Sequence, residues 1–487
     1  MTEQHQVNDQ EKKQKEIPPE QTSQTQHSVT IDGQEIRYTA TAGTIHLTEE
    51  KKEAKAAIFF VAYTREDGDG DAATRPITFS FNGGPGSSSV WLHLGLLGPR
   101  RVELLEDGSS PHPPYRLVDN TYSLLDATDL VFIDPVTTGY SRAVNEEEEK
   151  QFHEFQKDIE SVAEFIRLYC SRYQRWASPK FLIGESYGTT RAGGLAGHLH
   201  EHHGMYLNGI MLISSILNFQ TAYFGPGNDL PYILFLPSYA ATAWFHKQLD
   251  EELQGDLQAT LREVEQFART DYALALMQGT ALPENEQQEI ARRLARYTGL
   301  SEDYVRQTNL RIEIHRFTKE LLRAERRTVG RLDSRFSGID RDAAGEIHEF
   351  DPSYAAIQGP FTATFNDYVR RELAFESDLP YEVLTSRVRP WSFEKFQNEY
   401  VNTAETLRKA LCVNPYLQVF VANGFFDLAT PYFATQYTFN HMDLDPALQA
   451  NVSMAYYESG HMMYIHQPSL AQLKGDLVAF VRGATPG

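Results

Sequence analysis

Lys180-Phe181-Leu182-Ile183-Gly184-Glu185-Ser186-Tyr187-Gly188 decides the fold of this chain. An apolar run that can form a buried strand enters a G-x-S-x-G turn. The residues that follow, 189–200, are rich in leucine and small side chains. Strand, sharp turn and helix together lift a serine hydroxyl above the end of a sheet, which makes Ser186 a candidate nucleophile. With Gly and Ser each near 7%, such a pentapeptide arises by chance in about one chain in seven of this length. The reading therefore depends on its partners.

The first lies about a hundred residues upstream. Phe81-Asn82-Gly83-Gly84-Pro85-Gly86-Ser87-Ser88-Ser89 follows the strand-like Ile77-Thr78-Phe79-Ser80-Phe81. Attack on a carbonyl needs backbone N–H groups aimed at the oxyanion, and glycine lets a backbone come that close. A Gly-rich β-turn is the plain alternative. A phosphate loop is excluded, because no Gly-Lys-Ser/Thr follows. An acid and then a histidine should come later in the chain. Asp427 sits just past the strand-like 417–424, and His461 lies on a glycine-containing loop after the strand candidate 452–457. The chain has 16 histidines; position after the last strand, in the right order, singles out His461.

These segments together resemble the serine carboxypeptidase family of the α/β-hydrolase superfamily. Asn82 to Ser89 matches its N-G-G-P-G-x-S-S element, Gly184 to Gly188 its G-E-S-Y-[AG] turn, and Gly460-His461-Met462 its G-H-M motif. Asp134-Pro135-Val136-Thr137-Thr138-Gly139-Tyr140-Ser141 is similar to its D-x-P-x-G-x-G-[FY]-S segment, shortened. The resemblance covers roughly residues 75–215 and 415–470. It implies an α/β-hydrolase fold, a mostly parallel sheet flanked by helices, with a helical cap inserted between nucleophile and acid. It implies a catalytic triad of Ser186, Asp427 and His461, and an oxyanion hole from the backbone N–H groups of Gly84 and Tyr187. It also implies that Asn82, Gly83 and Glu185 bind the substrate's terminal carboxylate. The activity implied is release of C-terminal residues from peptides through an acyl-enzyme, with no cofactor and no metal. An esterase or acyltransferase on the same triad is the alternative, and a silent binding scaffold a further one.

Two departures from the family pattern stand out. Leu96-Leu97-Gly98-Pro99 occupies the family's E-L-G-P stretch, so Leu96 replaces the second acid that shares a proton with the first. A carboxylate beside a carboxylate is favourable only if one is protonated or compensated. Glu185 must then be protonated by burial, or offset by a cation such as Arg100 or Arg191. The second departure is cysteine: Ser87 stands where the family carries a bridged Cys, and only Cys170 and Cys412 occur in 487 residues. That points to a reducing compartment. The resemblance is then to a bacterial, cytoplasmic-type member. Residues 1–26 are rich in Gln, Glu and Lys with no apolar core, and read as a disordered tail rather than a signal peptide. No run approaches 18 apolar residues, so no membrane span is expected. A net charge of −21 argues against nucleic-acid partners. Oligomeric state is not readable.

The expected organisation is a tail (1–26), the first part of the core (27–218), a helical cap (219–375) and the second part of the core (376–487). Alternating apolar residues over 29–63 predict an antiparallel start to the sheet. Residues 67–71, Asp-Gly-Asp-Gly-Asp, imitate a calcium loop but lack its closing Glu, so a hairpin turn is expected. Long helices are predicted at 251–269, 286–297 and 313–327, with a coiled-coil surface as their alternative. Gly225-Pro226-Gly227 and Gly359-Pro360 read as boundaries or hinges. His198, His200, His202 and His203 lack a clear third ligand for a metal. Met462 and Met463 read as packing residues.

Overall fold

The computed structural model describes residues 19–48, 54–66 and 73–485. The calcium-loop-like run at 67–71 and the first 18 residues of the expected tail lie outside them.

Strands β1 (Thr22–Ile31), β2 (Gln34–Thr48) and β3 (Ala54–Arg65) form the antiparallel start. The tail reading needs correction here, since residues 22–26 belong to β1. Composition misleads because this strand is polar and exposed on one side. It is held by its ladder along β2 and buries side chains fully only at Val29 and Ile31.

Then come β4 (Ile77–Phe81), β5 (Asp129–Ile133), β6 (Lys180–Ser186), β7 (Gly209–Ser215), β8 (Gln418–Gly424) and β9 (Val452–Tyr457). The sheet order is β1-β2-β3-β5-β4-β6-β7-β8-β9, with the two-residue strand Arg142–Ala143 beside β3. Pairing is parallel from β5 through β9. These strands read as nearly unbroken apolar runs because helices cover both faces.

Among the described residues the longer helices are α1 (Phe155–Arg172), α2 (Tyr187–His203), α3 (Leu230–Phe245), α4 (Leu257–Phe267), α5 (Glu284–Thr298), α6 (Pro352–Arg371), α7 (Ala404–Val413) and α8 (Gln467–Ala484). Alternation along the strands sends Leu182, Ile210 and Leu212 to one face, where they meet Ile159 and Val162 of α1 and Leu195 of α2. Phe181, Ile183 and Met211 point the other way, into the core shared with Phe361 of α6 and Leu473 of α8. A third core, built by α3, α4 and α5, closes on Phe425, Phe426 and Leu428 just past β8. The segment between β7 and β8 is thereby seated on the end of the sheet where parallel strands deliver their functional loops.

The structure modifies three expectations inside that segment. The helix predicted over 251–269 breaks at Gly255, and Asp256 caps α4 by accepting from the Ala259 N–H. The helix predicted over 313–327 spans only Ile314–Glu320; the chain then enters a two-stranded ribbon, Arg327–Val329 with Ser337–Ile339. Gly359-Pro360 is no boundary, because both residues lie inside α6. Proline forfeits one helical hydrogen bond there, but burial of Ile357, Phe361 and Phe365 holds the helix. The helix predicted over 286–297 lies within α5.

Candidate active site

Ser186 ends β6 and precedes α2 with φ 60° and ψ −129°. Such a conformation costs a non-glycine residue roughly 1–3 kcal/mol and persists only where the surroundings enforce it. The enforcement is steric: a Cβ at Gly184 would stand 2.3 Å from the Gly188 carbonyl oxygen, so the turn closes only around glycine. α2 begins at Tyr187 with no side-chain cap from Ser186, which leaves its first N–H groups available to a ligand.

The glycine turn after β4 packs directly against this elbow. A Cβ at Gly83 would lie 2.4 Å from the Tyr187 nitrogen, so glycine is what lets the two backbones meet. A buried ion pair staples them. Arg191 Nη1 donates to the Asn82 carbonyl at 2.7 Å, and its Nε donates to Asp158 Oδ2 at 2.9 Å. The guanidinium lies between the rings of Phe81 and Tyr187. Burial pushes the Asp158 carboxyl above its ordinary value even with Arg191 beside it.

Asp427 is fully buried. Its Oδ1 accepts the N–H groups of Ala429 (2.7 Å) and Thr430 (3.0 Å), and its Oδ2 accepts the Thr430 hydroxyl at 2.7 Å. The same Oδ2 lies 2.8 Å from His461 Nδ1. Burial works against a charged imidazole, but the Asp427 carboxylate outweighs it and lifts His461 above the ordinary histidine value. With Nδ1 committed to Asp427, Nε2 is left as the nitrogen that can exchange a proton.

The histidine loop is fixed by residues that sequence reasoning missed. Leu332 accepts the His461 N–H through its carbonyl at 2.6 Å, and Asp333 accepts the Gly460 N–H at 3.1 Å. Both come from the stretch after strand Arg327–Val329, more than 120 residues away in sequence, and nothing local marks them. Ser214 at the end of β7 donates to the His461 carbonyl at 2.6 Å.

Glu185 is buried beside Ser186. Its Oε1 accepts from Asn82 Nδ2 at 2.9 Å and its Oε2 from the Tyr464 hydroxyl at 2.5 Å. Burial raises its carboxyl to about 7, against the pull of His461, Tyr464 and Asn82. The expected cations are not its partners: Arg191 is taken by Asp158, and Arg100 pairs with Asp119 and Glu372. Tyr464 was the missing partner. A Cβ at Gly95 would stand 2.4 Å from its ring, so the phenol packs on the backbone next to the buried Leu96. Its position three residues after His461 was the only available signal.

Asn82, Gly83, Gly84, Glu185, Ser186 and His461 all line one cavity of about 580 Å³. The cavity can thus offer a strained serine, a carboxylate-bound imidazole, the ends of a glycine turn and a carboxyl close to its own titration point. A recess of about 650 Å³ around Tyr140 and Phe375 contains none of them. Among the described residues no group of three or more His, Cys, Asp or Glu side chains could hold a metal.

The family model described as serine carboxypeptidase matches residues 33–475. Pheromone-processing carboxypeptidase KEX1 of Saccharomyces cerevisiae is 33% identical over 146 residues, 28% of this chain and 19% of that protein. Serine carboxypeptidase-like 33 of Arabidopsis thaliana is 29% identical over 149 residues, 30% of this chain and 28% of that protein. The similar stretch thus spans less than a third of these curated relatives. The crystal structure of KEX1(delta)p, a prohormone-processing carboxypeptidase from Saccharomyces cerevisiae, is similar with a TM-score of 0.56 at 19% identity, over 92% of this chain and 91% of that one. That likeness establishes the α/β-hydrolase fold.

Proposed function

Because this chain belongs to the serine carboxypeptidase family, we propose that it releases C-terminal residues from peptides through an acyl-enzyme on Ser186. The observation that carries this is the Asp427–His461 hydrogen bond, buried at the wall of the same cavity as the strained Ser186. Ser186 Oγ attacks the scissile carbonyl while His461 Nε2 takes its proton, and Asp427 holds the imidazole in the required tautomer. The N–H groups of Gly84 and Tyr187 receive the oxyanion. His461 then returns the proton to the leaving amine, and water, activated by the same imidazole, releases the acyl group.

Asn82, Gly83 and Glu185 read the terminal carboxylate of the peptide. A carboxylate ligand is tolerated because Glu185, raised to about 7, keeps its proton on the acid side of that point and donates it to the ligand. Two titrations then oppose each other. Turnover rises with pH as His461 loses its proton, and recognition of the free acid falls as Glu185 loses its own. We also propose a reducing compartment, supported by two unpaired cysteines, Cys170 buried and Cys412 exposed.

The experiment compares a blocked dipeptide with a free C-terminus against its amide from acid to alkaline pH, with Ser186→Ala as the blank. Preference for the free acid that fades as pH rises supports the reading. Equal rates, or turnover of esters only, overturn it in favour of an esterase or acyltransferase, the reading that Leu96 in place of an acid favours.

A further inference from the structure

Two guanidinium groups line the cavity that holds Ser186. Arg331 immediately precedes Leu332, whose carbonyl holds the His461 N–H, and its charge is felt at His461. Arg389 follows the stretch in which Thr385 donates its N–H to the Gly86 carbonyl, so it hangs beside the glycine turn. Among the described residues neither guanidinium has a carboxylate within ion-pair distance or a side-chain hydrogen bond. Other arginines close to the cleft are paired, Arg335 with Asp333 and Arg191 with Asp158.

The carboxyls along this cavity are hydrogen-bonded to uncharged groups and not to the two guanidinium groups. Asp351 caps α6: its carboxylate accepts the N–H groups of Arg331, Leu332 and Ser353 and the Ser353 hydroxyl. Glu185 is taken by Asn82 and Tyr464. His348, on the same wall, has its buried Nδ1 without a hydrogen-bond partner. In a chain of net charge −21, the reaction cleft therefore carries two guanidinium groups outside any ion pair, against the single carboxylate of Asp351. A concave, low-dielectric site focuses such a field on whatever enters it.

We propose that this cleft selects peptides carrying an acidic side chain at the scissile bond, with Arg331 and Arg389 receiving the side-chain carboxylate. The inference rests on the carboxypeptidase reading of the Ser186 site. It assigns these arginines to the substrate's side chain, because the terminal carboxylate already has Asn82 and Glu185. A guanidinium suits the task, since its fork of donors matches a planar carboxylate in two parallel hydrogen bonds.

Calorimetric titration of Ser186→Ala protein tests this without requiring turnover. The ligands are N-acetyl dipeptides with free C-termini, Ala-Glu, Ala-Gln and Ala-Lys, with Glu-Ala and Gln-Ala to separate the last position from the one before it. Glu should bind about fivefold or more tighter than Gln at one position, and Lys weakest. The preference should shrink at high salt, as screened charges require. Adding Arg331→Gln or Arg389→Gln should draw the Glu/Gln ratio toward one, while Arg→Lys at the same position should keep part of it.

Equal affinity for Glu and Gln, or a preference for Lys, overturns the proposal. So does a Gln variant that weakens every free-acid peptide alike while sparing the corresponding amides, because the arginine would then read the terminal carboxylate. Wild-type turnover of the same peptides is scored separately. Charge discrimination in binding without peptide hydrolysis removes the carboxypeptidase reading and leaves the selectivity standing. Hydrolysis without discrimination does the reverse.

Discussion

Tyr464→Phe isolates the phenol that stands beside Leu96. The Tyr464 hydroxyl donates to Glu185 Oε2 at 2.5 Å, in a buried setting where Asn82 holds the other oxygen. That bond favours the carboxylate form and so pulls the Glu185 value down against burial, which sets it at about 7. Removing the hydroxyl must therefore raise Glu185 further. A hydrogen bond to a charged group is worth about 1.5–3 kcal/mol, part of which the neutral acid recovers from the same phenol. With 1.36 kcal/mol per unit, the expected rise is about one pH unit.

The assay is kcat/KM for a blocked dipeptide as free acid and as ethyl ester, across pH 5–9 at fixed ionic strength. In the variant, the descending limb for the free acid should move up by about one unit. The ester profile, governed by His461, should move much less and downward, because His461 feels Glu185 only through the charge that the variant keeps neutralised for longer. The ring still packs on Gly95, so folding is retained. Glu185→Gln supplies the control: with an uncharged, non-titrating amide the descending limb should vanish. A limb that stays or moves down in Tyr464→Phe, or survives in Glu185→Gln, refutes the assignment of that titration to Glu185.

Asp427→Asn should lower kcat by about 10⁴ with little change in KM, because the amide favours the wrong imidazole tautomer; a loss under tenfold contradicts the buried Asp427–His461 bond as its orienter. Gly83→Ala places a methyl 2.4 Å from the Tyr187 nitrogen and must displace one of the two backbones. Its kcat and its labelling rate by a fluorophosphonate should fall together by about 10²–10³, the cost of one misplaced oxyanion donor. Arg191→Met leaves Asp158 buried without its cation and should cost about 3–5 kcal/mol of stability, read by denaturant melts. Because a buried Asp158 is raised, its proton stabilises the native state at acid pH, so this loss should grow as pH rises and shrink as it falls.

The triad and glycine-turn residues that share the cavity were legible from local pattern. Asn82, Glu185 and Ser186 sit at strand ends and His461 on the loop after β9, and strand–glycine–turn signals are short-range in sequence. The same holds for Asp427, directly after β8. What stayed hidden is held by contacts across the chain. Leu332 and Asp333 support the histidine loop from the turn between the two ribbon strands, just past the end of the helix expected over 313–327. Arg191 looked like a counter-ion for Glu185 but serves Asp158, because α1 brings that carboxylate to within 2.9 Å of its Nε. β1 hides in a tail-like composition, since its pairing with β2 is a property of the hairpin and not of its own polar residues.

Leu96 and Tyr464 belong to one physical argument. Two carboxyls sharing a proton hold together only while one stays protonated, and the like charge of each strengthens the pair's hold on that proton. Replacing one with a phenol keeps a donor against Glu185 and removes the second negative charge. Leu96 is then free to be buried aliphatic packing, at no charge-burial cost. What remains is a single carboxyl whose titration near neutrality is set by burial, aided by Asp427, against His461 and two hydrogen bonds. On the proposed reading, loss of the second acid leaves recognition itself in place and hands its proton to Glu185 alone, held there by burial. The ability to bind a terminal carboxylate then depends on the proton that Glu185 carries, and the upper pH limit of peptide cleavage becomes a property of one residue.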